Sequence, residues 1–333
     1  MTRTWDGVGH FAHYQGPFPD YRSPHCAPRS IRIGSIVALI VTYRYVCPVS
    51  FTQEPTPRPF AGQVALVTGA ARPRSIGRAT ALALAQGGAD VACLDIAQPY
   101  REAPDHGTAS EDDLATLALE INMLGSRAVT AVADVSDERA VEAAVNQVHA
   151  ELGTVTLLAN VAGGSGPGFG LGPLVNISAD EFRRVIDVNL TGTWLVSRAC
   201  AHRMIDAGVS GRICNVSSQA GKRAFPFLGA YCAAKAGVIL LTQTMATELG
   251  PNGIAVNAVC PGTVDTDLMN KDSVFETILG GPEGLAKYLE REIPLGRLQS
   301  ADEIAAAICW LLSDAARGVT GEALNVSAGQ TMV

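Results

Sequence analysis

The sequence predicts an α/β fold in which helices cover both faces of one parallel β-sheet. From residue 63 onward, short apolar runs alternate with longer segments that have the pattern of helices. The runs are continuously apolar, which is typical of strands buried on both faces. A glycine-bearing turn joins the first run to the first helix. Regular alternation of strand and helix indicates a doubly wound parallel sheet.

Composition favours a small-molecule ligand over a macromolecular partner. The chain has 333 residues, a net charge of −7 and a hydrophobic fraction of 47%. This fraction is ample for the packed core of one large domain, and the acidic balance offers no basic surface for nucleic acid or membrane. The eight cysteines include no C-x-x-C pair. We therefore expect no metal site, no disulfide framework and a reducing, cytoplasmic location.

Residues 1–59 differ from the rest and are expected to form a disordered N-terminal extension, with the folded domain over 60–333. They mix glycine, proline, histidine and aromatic residues without a period, and 48–59 is a proline-rich linker. The apolar run at 33–41 is shorter than the roughly 20 residues of a membrane span. A targeting or membrane-touching role for this run is the alternative.

The first strand–turn–helix unit predicts a dinucleotide site. The strand covers 64–68, the turn 69–77 and the helix 78–86. Gly69 permits a sharp turn, and the turn delivers backbone N–H groups and a helix N-terminus to a pyrophosphate. Gly77 permits a close approach between helix and cofactor.

The second strand, residues 90–95, ends in Asp95. A carboxylate at this place accepts hydrogen bonds from ribose hydroxyls and repels a 2′-phosphate, which favours NAD over NADP. Arg72 and Arg74 in the glycine turn are the opposing observation, because either arginine is suited to a phosphate. NADP stays the alternative.

The next units continue the alternation. A loop at 96–110 ends in a capping box formed by Ser110 and Asp113, and a third strand is expected at 127–133. Asp134 and Val135 follow that strand, where an acid and an apolar residue can bracket an adenine ring.

A helix at 138–152 leads to a fourth strand and to NVAG at 160–163. Ser178 and Glu181 predict a capping box that opens a long helix containing Asn189. Apolar and small residues surround this asparagine, so its amide is expected to be buried and hydrogen-bonded, with one partner a water linked to Lys235.

A phenol, an ammonium and a hydroxyl at fixed spacing form the candidate catalytic group. Tyr231 and Lys235 are four residues apart, hence on one face of a helix, and Ser218 stands thirteen residues before Tyr231. A phenol has a pKa near 10 and needs a neighbouring positive charge to work at neutral pH. A hydroxyl beside it can hold a substrate oxygen, as proton transfer at an alcohol or ketone requires.

After this group the helix is expected to run to Gly250 and a sixth strand to cover 254–259. PGTVDT at 261–266 then lies at the carboxyl edge of the sheet, where ligands bind in such folds. Residues 267–295 are less periodic and are expected to form a mobile substrate lid. Ser300 and Glu303 cap a last helix, and the final strand is expected at 323–326.

Together these segments resemble the short-chain dehydrogenase/reductase family over residues 60–333, which implies a single Rossmann-type domain. The matching pieces are TGAARPRSIG at 68–77, Asp95, Asp134–Val135, NVAG at 160–163, Asn189, Ser218, Tyr231, Lys235 and PGTVDT at 261–266. Two positions depart from the family pattern. Ser75 replaces the middle glycine of a loop that is two residues longer, and Val161 replaces the second asparagine of NNAG.

The resemblance implies a role for each catalytic residue and for a set of cofactor contacts. Tyr231 would be the acid/base, Lys235 would lower its pKa and bind the nicotinamide ribose, Ser218 would polarise the substrate oxygen, and Asn189 would hold the water of a proton relay. No metal is needed. The implied cofactor-binding residues are Gly69, Arg72, Ser75, Ile76, Gly77, Asp95, Asp134, Val135, Asn160, Ala162, Gly163, Tyr231, Lys235, Pro261, Gly262, Val264 and Thr266.

The expected function is an NAD(H)-dependent oxidoreductase that interconverts a secondary alcohol and its ketone, leaning towards oxidation of a moderately hydrophobic substrate. The alternatives are an NADPH-dependent carbonyl or 3-oxoacyl reductase, and a catalytically inactive dinucleotide-binding sensor or scaffold. The resemblance also implies a homotetramer or homodimer built on the helices that carry Asn189 and Tyr231.

Overall fold

The computed structural model describes residues 58–100, 108–267 and 279–333, and all of these belong to one compact unit. The predicted extension lies almost wholly outside the described residues, so its disorder and the boundary at residue 60 stay predictions. The middle of the loop at 96–110 also lies outside them.

The described residues contain nine strands, all in parallel pairs. The strands are β1 (Val64–Thr68), β2 (Asp90–Asp95), β3 (Ala128–Val132), β4 (Leu157–Asn160), β5 (Gly211–Val216), β6 (Ile254–Pro261), β7 (Val264–Asp265), β8 (Gln299–Ser300) and β9 (Ala323–Val326). Seven of them form the main sheet in the order β3-β2-β1-β4-β5-β6-β9, and β7 pairs with β8. The order reverses between β1 and β4, which creates a crevice at the carboxyl edge of the sheet.

Helices connect the strands of the main sheet. Those of the described ranges are α1 (Ile76–Gln86), α2 (Glu111–Met123), α3 (Glu138–Leu152), α4 (Ala179–Ile186), α5 (Gly192–Asp206), α6 (Gly229–Leu249), α7 (Pro282–Glu292) and α8 (Ala301–Leu312). No helix in these ranges combines the length and the apolar character that crossing a bilayer requires. The parallel seven-stranded sheet and its connecting helices confirm the predicted Rossmann-type doubly wound fold.

The core consists of one apolar layer on each face of the sheet. Along β1, Leu66 packs into the layer that includes α3 and α5, whereas Ala65 and Val67 pack into the layer that includes α1, α2 and α8. Successive side chains of a strand point to opposite faces, so both kinds of position must be apolar. This requirement explains why the strands are continuous apolar runs in the sequence.

Side-chain caps fix where several helices begin. Complete capping boxes join Ser110 to Asp113 at α2 and Ser300 to Glu303 at α8. At α4 the box is half formed, because the Ser178 hydroxyl accepts the Glu181 N–H at 3.1 Å while the Glu181 carboxylate accepts the Gly170 N–H at 2.8 Å instead. The glutamate thus ties the helix start to a neighbouring loop.

Two predicted segments differ in the structure. The long helix around Asn189 is not one α-helix, since a π-helical turn, Asp187–Thr191, separates α4 from α5. The segment 267–295, expected to be an irregular lid, contains the helix α7; residues 268–278 lie outside the described residues.

Candidate active site

Ser218, Tyr231 and Lys235 line one cavity at the carboxyl edge of the sheet. Ser218 follows β5 and begins a single 3₁₀ turn, and its hydroxyl accepts the Ala220 N–H at 3.1 Å. Tyr231 lies in the first turn of α6, with Lys235 one turn further along. The Ser218 hydroxyl is near enough to the Tyr231 phenol to lower its pKa. The structure thus brings together the three groups that the sequence spacing predicted.

Lys235 is held in the interior of the site. Its side chain is 2% exposed, and its Nζ donates a hydrogen bond of 2.8 Å to Val216 O. The same Nζ lies 5.5 Å from the centroid of the Tyr231 ring. Burial lowers the pKa of Lys235 to about 8, because the charged amine loses hydration. The ammonium therefore adjoins the phenol at neutral pH.

For Tyr231 the balance of forces differs from the expectation. Burial raises the pKa of Tyr231 to about 12, and the neighbouring Ser218 hydroxyl opposes this rise only in part. The desolvation of the phenolate outweighs the stabilising groups around it in the protein alone. Tyr231 is accordingly a neutral phenol at neutral pH, with a proton available for a carbonyl oxygen.

Asn189 is fully buried and fixes the loop that follows β4. Its Nδ2 donates to Gly164 O at 2.9 Å and to Val185 O at 3.0 Å, and its Oδ1 accepts the Gly164 N–H at 2.9 Å. A Cβ added at Gly163 would lie 2.5 Å from Asn189 Oδ1 and 3.2 Å from Lys235 Nζ. Asn189 and Lys235 therefore converge on Gly163, while the water predicted between them stays a prediction.

A second cleft continues from the catalytic cavity, and the two share Ile76, Val161, Gly163 and Thr266. The predicted cofactor residues that line the second cleft are Gly69, Arg72, Ser75, Ile76, Gly77, Asp95, Val135, Ala162, Gly163 and Thr266. A Cβ at Gly77 would overlap Gly69 O, so glycine allows the start of α1 to touch the turn after β1. This contact leaves the N-terminus of α1 facing the cleft, as anion binding requires.

Ser75 closes the lengthened glycine loop. Its hydroxyl accepts the Arg78 N–H at 3.1 Å as the cap of α1 and donates to Arg72 O at 2.8 Å. A serine at the place of the family's middle glycine is thus a helix cap, and the extra residues form a turn that it fastens.

Asp95 is almost fully buried and both of its carboxylate oxygens are engaged. Oδ2 accepts the Ala71 N–H at 2.9 Å, and Oδ1 accepts the Ala97 N–H at 3.2 Å. The carboxylate therefore holds the glycine loop as well as lining the cleft. The sequence predicted its position but not this structural contact.

The two arginines of the glycine loop have different surroundings. Arg74 pairs with Asp265 at 2.6 Å and with Asp267 at 3.7 Å, so its charge is already compensated. Arg72 lines the cleft near Asp95, and burial lowers the pKa of Arg72 although Asp95 and Asp267 oppose this effect. Of the two, Arg72 is the arginine placed to meet a phosphate.

Two predicted cofactor residues line neither cavity. Asp134 accepts the Ser136 N–H at 2.8 Å, which caps the turn after β3. The Asn160 Nδ2 donates to Ser197 Oγ at 2.7 Å and to Asn215 Oδ1 at 2.9 Å, joining β4 to α5 and β5. Both side chains have structural partners, so their predicted contact with a cofactor stays a prediction. Pro261, Gly262 and Val264 lie along the catalytic cavity with the other predicted residues of their loop.

Sequence reasoning placed some of the residues that line the two cavities only within a predicted segment and missed others. Thr263 belongs to the predicted ligand-binding segment 261–266 and Tyr288 to the predicted lid, and both line the catalytic cavity. Tyr100 and Phe169 line the second cleft, and their rings stack with centroids 5.3 Å apart. Tyr100 and Phe169 were missed because they lie in loops, where the sequence carries no spacing signal that would point to a site.

Comparison with known proteins identifies the family. A family model described as enoyl-(acyl carrier protein) reductase matches residues 69–331. A short-chain dehydrogenase/reductase of Armillaria gallica is 37% identical over 80% of this chain and 95% of its own length. The chain belongs to the short-chain dehydrogenase/reductase family. It is therefore an oxidoreductase that acts on CH–OH groups.

Other members of the short-chain dehydrogenase/reductase family are similar over nearly their whole length. The cis-4-hydroxycyclohexanecarboxylate dehydrogenase of Sinomonas cyclohexanicum is 38% identical over 82% of this chain and 98% of its own. The solved structure of carveol dehydrogenase from Mycobacterium avium in complex with NAD has a TM-score of 0.75 at 35% identity, covering 82% of this chain and 98% of that one.

Proposed function

We propose that the chain is an NAD(H)-dependent oxidoreductase that interconverts a secondary alcohol and its ketone, with Tyr231 as the acid/base. One observation carries this proposal. Ser218, Tyr231 and Lys235 line a cavity that continues into a cleft containing Asp95 and the N-terminus of α1. Proton-transfer groups thus adjoin a surface suited to a dinucleotide.

The chemistry follows from the state of each side chain. The neutral Tyr231 phenol gives its proton to the carbonyl oxygen of a ketone and becomes a phenolate; in the reverse direction the phenolate takes the proton of the alcohol. The Ser218 hydroxyl binds the same substrate oxygen and orients it towards the phenol. The Lys235 ammonium, held by Val216 O, stabilises negative charge as it develops on the phenol oxygen. When bound, NAD would accept the hydride from the alcohol carbon, and NADH would donate it to the ketone carbon in the opposite direction.

Asp95 supports a preference for NAD. Its buried carboxylate lies in the cleft, where it would repel a 2′-phosphate. The similar carveol dehydrogenase was solved with NAD. Arg72 lines the same cleft and favours the alternative, an NADPH-dependent reductase. The preference is therefore a balance between two charges at one place.

The substrate that the cavity supports best is a ring-bearing secondary alcohol. Apart from the catalytic groups, Phe225, Leu228 and Val264 give the cavity an apolar wall. Two similar enzymes are named for the ring alcohols carveol and cis-4-hydroxycyclohexanecarboxylate. An apolar wall beside a polar catalytic end suits molecules of this kind.

Titration of the purified protein with NADH and with NADPH, followed by nicotinamide fluorescence, tests the cofactor proposal. We expect tighter binding of NADH. In Asp95→Asn the ratio of NADH affinity to NADPH affinity should fall about tenfold, or about 1.4 kcal/mol, because the charge that repels the 2′-phosphate is lost. The matched control Asp134→Asn removes a carboxylate that does not line the cleft and should alter both affinities equally. Tighter NADPH binding by the wild type would show that Arg72 dominates.

Turnover of a panel of cyclic secondary alcohols with NAD, read from NADH absorbance, tests the catalytic proposal. Tyr231→Phe keeps the ring and removes only the hydroxyl, so it should abolish turnover while the protein still binds NADH. Turnover that survives in this variant would contradict the role given to Tyr231.

We also propose that the chain assembles with a second copy of itself through α5 and α6. Between these helices lies a surface groove that includes Trp194, Ile205 and Leu241. Trp194 is 40% exposed, and the neighbouring Leu240 on α6 is 61% exposed. Large apolar side chains grouped on one surface support a protein interface.

A cytoplasmic location stays a prediction; the cysteines of the described ranges are all unpaired.

A further inference from the structure

We propose that Gln330 is a positioning residue for the catalytic cavity, because it fastens helix α7 to the loop that follows β6. This inference deepens the proposed function. It rests on that proposal only for the statement that the cavity is catalytic. Gln330 lies in the segment after β9, far in sequence from both partners. No spacing in the sequence indicates its role.

Three side chains form a closed ring of hydrogen bonds. Gln330 Nε2 donates to the Tyr288 hydroxyl at 2.6 Å, and Thr263 Oγ1 donates to Gln330 Oε1 at 3.1 Å. The Tyr288 and Thr263 hydroxyls are 2.8 Å apart. Since the Thr263 proton is directed to Gln330, Tyr288 is the donor to Thr263. Each bond of such a ring polarises the next and strengthens it.

The backbone fixes the orientation of the amide. The Thr263 N–H also donates to Gln330 Oε1, at 3.0 Å. An N–H can only donate, so the atom that it meets must be the amide oxygen, and the NH₂ group must face Tyr288. Gln330 therefore bonds at one end to the loop after β6 and at the other end to α7.

The ring matters for α7 because apolar burial holds this helix only in part, with Leu285, Tyr288 and Leu289 half-buried. None of the α7 residues is buried. Among the described residues, Glu292 of α7 also pairs with Arg223 at 3.9 Å, between partly exposed side chains, and such pairs contribute little. Ile293, directly after the helix, is buried and anchors its C-terminal end. Tyr288 ties the middle of α7 to the loop after β6 and to Gln330.

The ring also forms part of the cavity wall. Tyr288 and Thr263 line the same cavity as Ser218 and Tyr231, and Gln330 and Thr263 are only 5% and 8% exposed. A buried polar group that loses its partner is costly, so the three residues should move together or not at all. Gln330 thereby sets the position of the wall that faces the catalytic groups.

Hydrogen–deuterium exchange of the full-length protein, followed by mass spectrometry on peptides covering 282–292, tests this inference. Gln330→Leu removes the side-chain amide and with it the hydrogen bonds to Thr263 and Tyr288. Hydrogen exchange in α7 should then become roughly tenfold faster. Gln299→Leu is the matched control, because Gln299 is also 5% exposed and its Oε1 accepts the Gly262 N–H at 3.3 Å without contacting α7. Exchange in α7 should not change in this variant. Tyr288→Phe, which removes one hydroxyl, should also speed it.

Rescue distinguishes positioning from general packing. In Gln330→Glu a carboxylate still accepts from both Thr263 donors and can accept the Tyr288 proton, so exchange in α7 should return to within about twofold of the wild type. The inference is overturned if Gln330→Leu leaves α7 unchanged, if Gln299→Leu speeds its exchange equally, or if Gln330→Glu fails to restore it. NADH titration of the wild type reports on the proposed function separately, because the exchange comparison does not depend on cofactor binding.

Discussion

The stability of the protein should depend on pH through Lys235. Its amine is 2% exposed and donates to Val216 O, and burial lowers its pKa from 10.5 to about 8. Each tenfold change in proton affinity corresponds to about 1.4 kcal/mol, so holding the charge in the fold costs about 3 kcal/mol at most. Replacing Lys235 with methionine removes the amine and keeps much of the side-chain volume.

The direction of the effect follows from the proton bound in each state. Below pH 8 the amine is charged in the folded and the unfolded chain, and the folded state carries the full cost. Between pH 8 and 10.5 the unfolded chain holds a proton that the folded amine has released, so wild-type stability gains with rising pH. The advantage of Lys235→Met over the wild type should therefore shrink by about 3 kcal/mol across this interval.

Urea unfolding of both proteins without cofactor, followed by circular dichroism from pH 7 to 10.5 at one protein concentration, measures this difference. Other titrating groups are common to both proteins and cancel. Tyr231 is close enough to Lys235 to interfere, so the same pair is compared in a Tyr231→Phe background. A difference in unfolding free energy that stays constant with pH in both backgrounds would refute the argument that burial depresses the pKa of Lys235.

Two further predictions concern the loop after β4 and the proposed interface. Gly163→Ala, at φ +148° with its Cβ 2.5 Å from Asn189 Oδ1, should lower the unfolding free energy by roughly 3–5 kcal/mol. Gly153→Ala, at φ +101° with open space around it, should cost only about 1–3 kcal/mol of backbone strain; equal losses on urea unfolding would contradict the clash. Leu240→Glu should reduce the molar mass measured by light scattering, whereas Leu119→Glu, at a similarly exposed site on α2, should not. A monomeric wild type would remove the interface proposal.

Local pattern was enough to predict the scaffold. The helix at 138–152 and the strand at 323–326 have the predicted bounds, because caps and apolar runs are written within each segment. The sheet and the family are confirmed for the same reason, since regular alternation of strand and helix leaves few alternative folds. The meeting of Ser218 with Tyr231 also follows from the fold, which places the end of β5 beside the start of α6.

Contacts between distant segments were not predictable in the same way. The helix α7 was missed because its apolar stripe is short and only half-buried; it consists of Leu285, Tyr288 and Leu289. A second local signal was Pro282 after Gly281, at the first helical position where proline is favoured. Glu181 left its expected capping partner for Gly170, and Gln330 found partners in two other segments. Such choices depend on the assembled fold.

The π-helical turn shows how the fold accommodates an asparagine in the middle of a helix. An asparagine there usually competes with the backbone for hydrogen bonds and weakens the helix. In this turn the Gly192 N–H bonds to Asp187 O, five residues back, which is the π register. In this register the N–H groups bond to carbonyls five residues back instead of four. The Asn189 Nδ2 bonds to Val185 O, a carbonyl four residues before it. The extra residue therefore gives the buried amide a partner on its own helix while its Oδ1 fastens the loop beside Lys235.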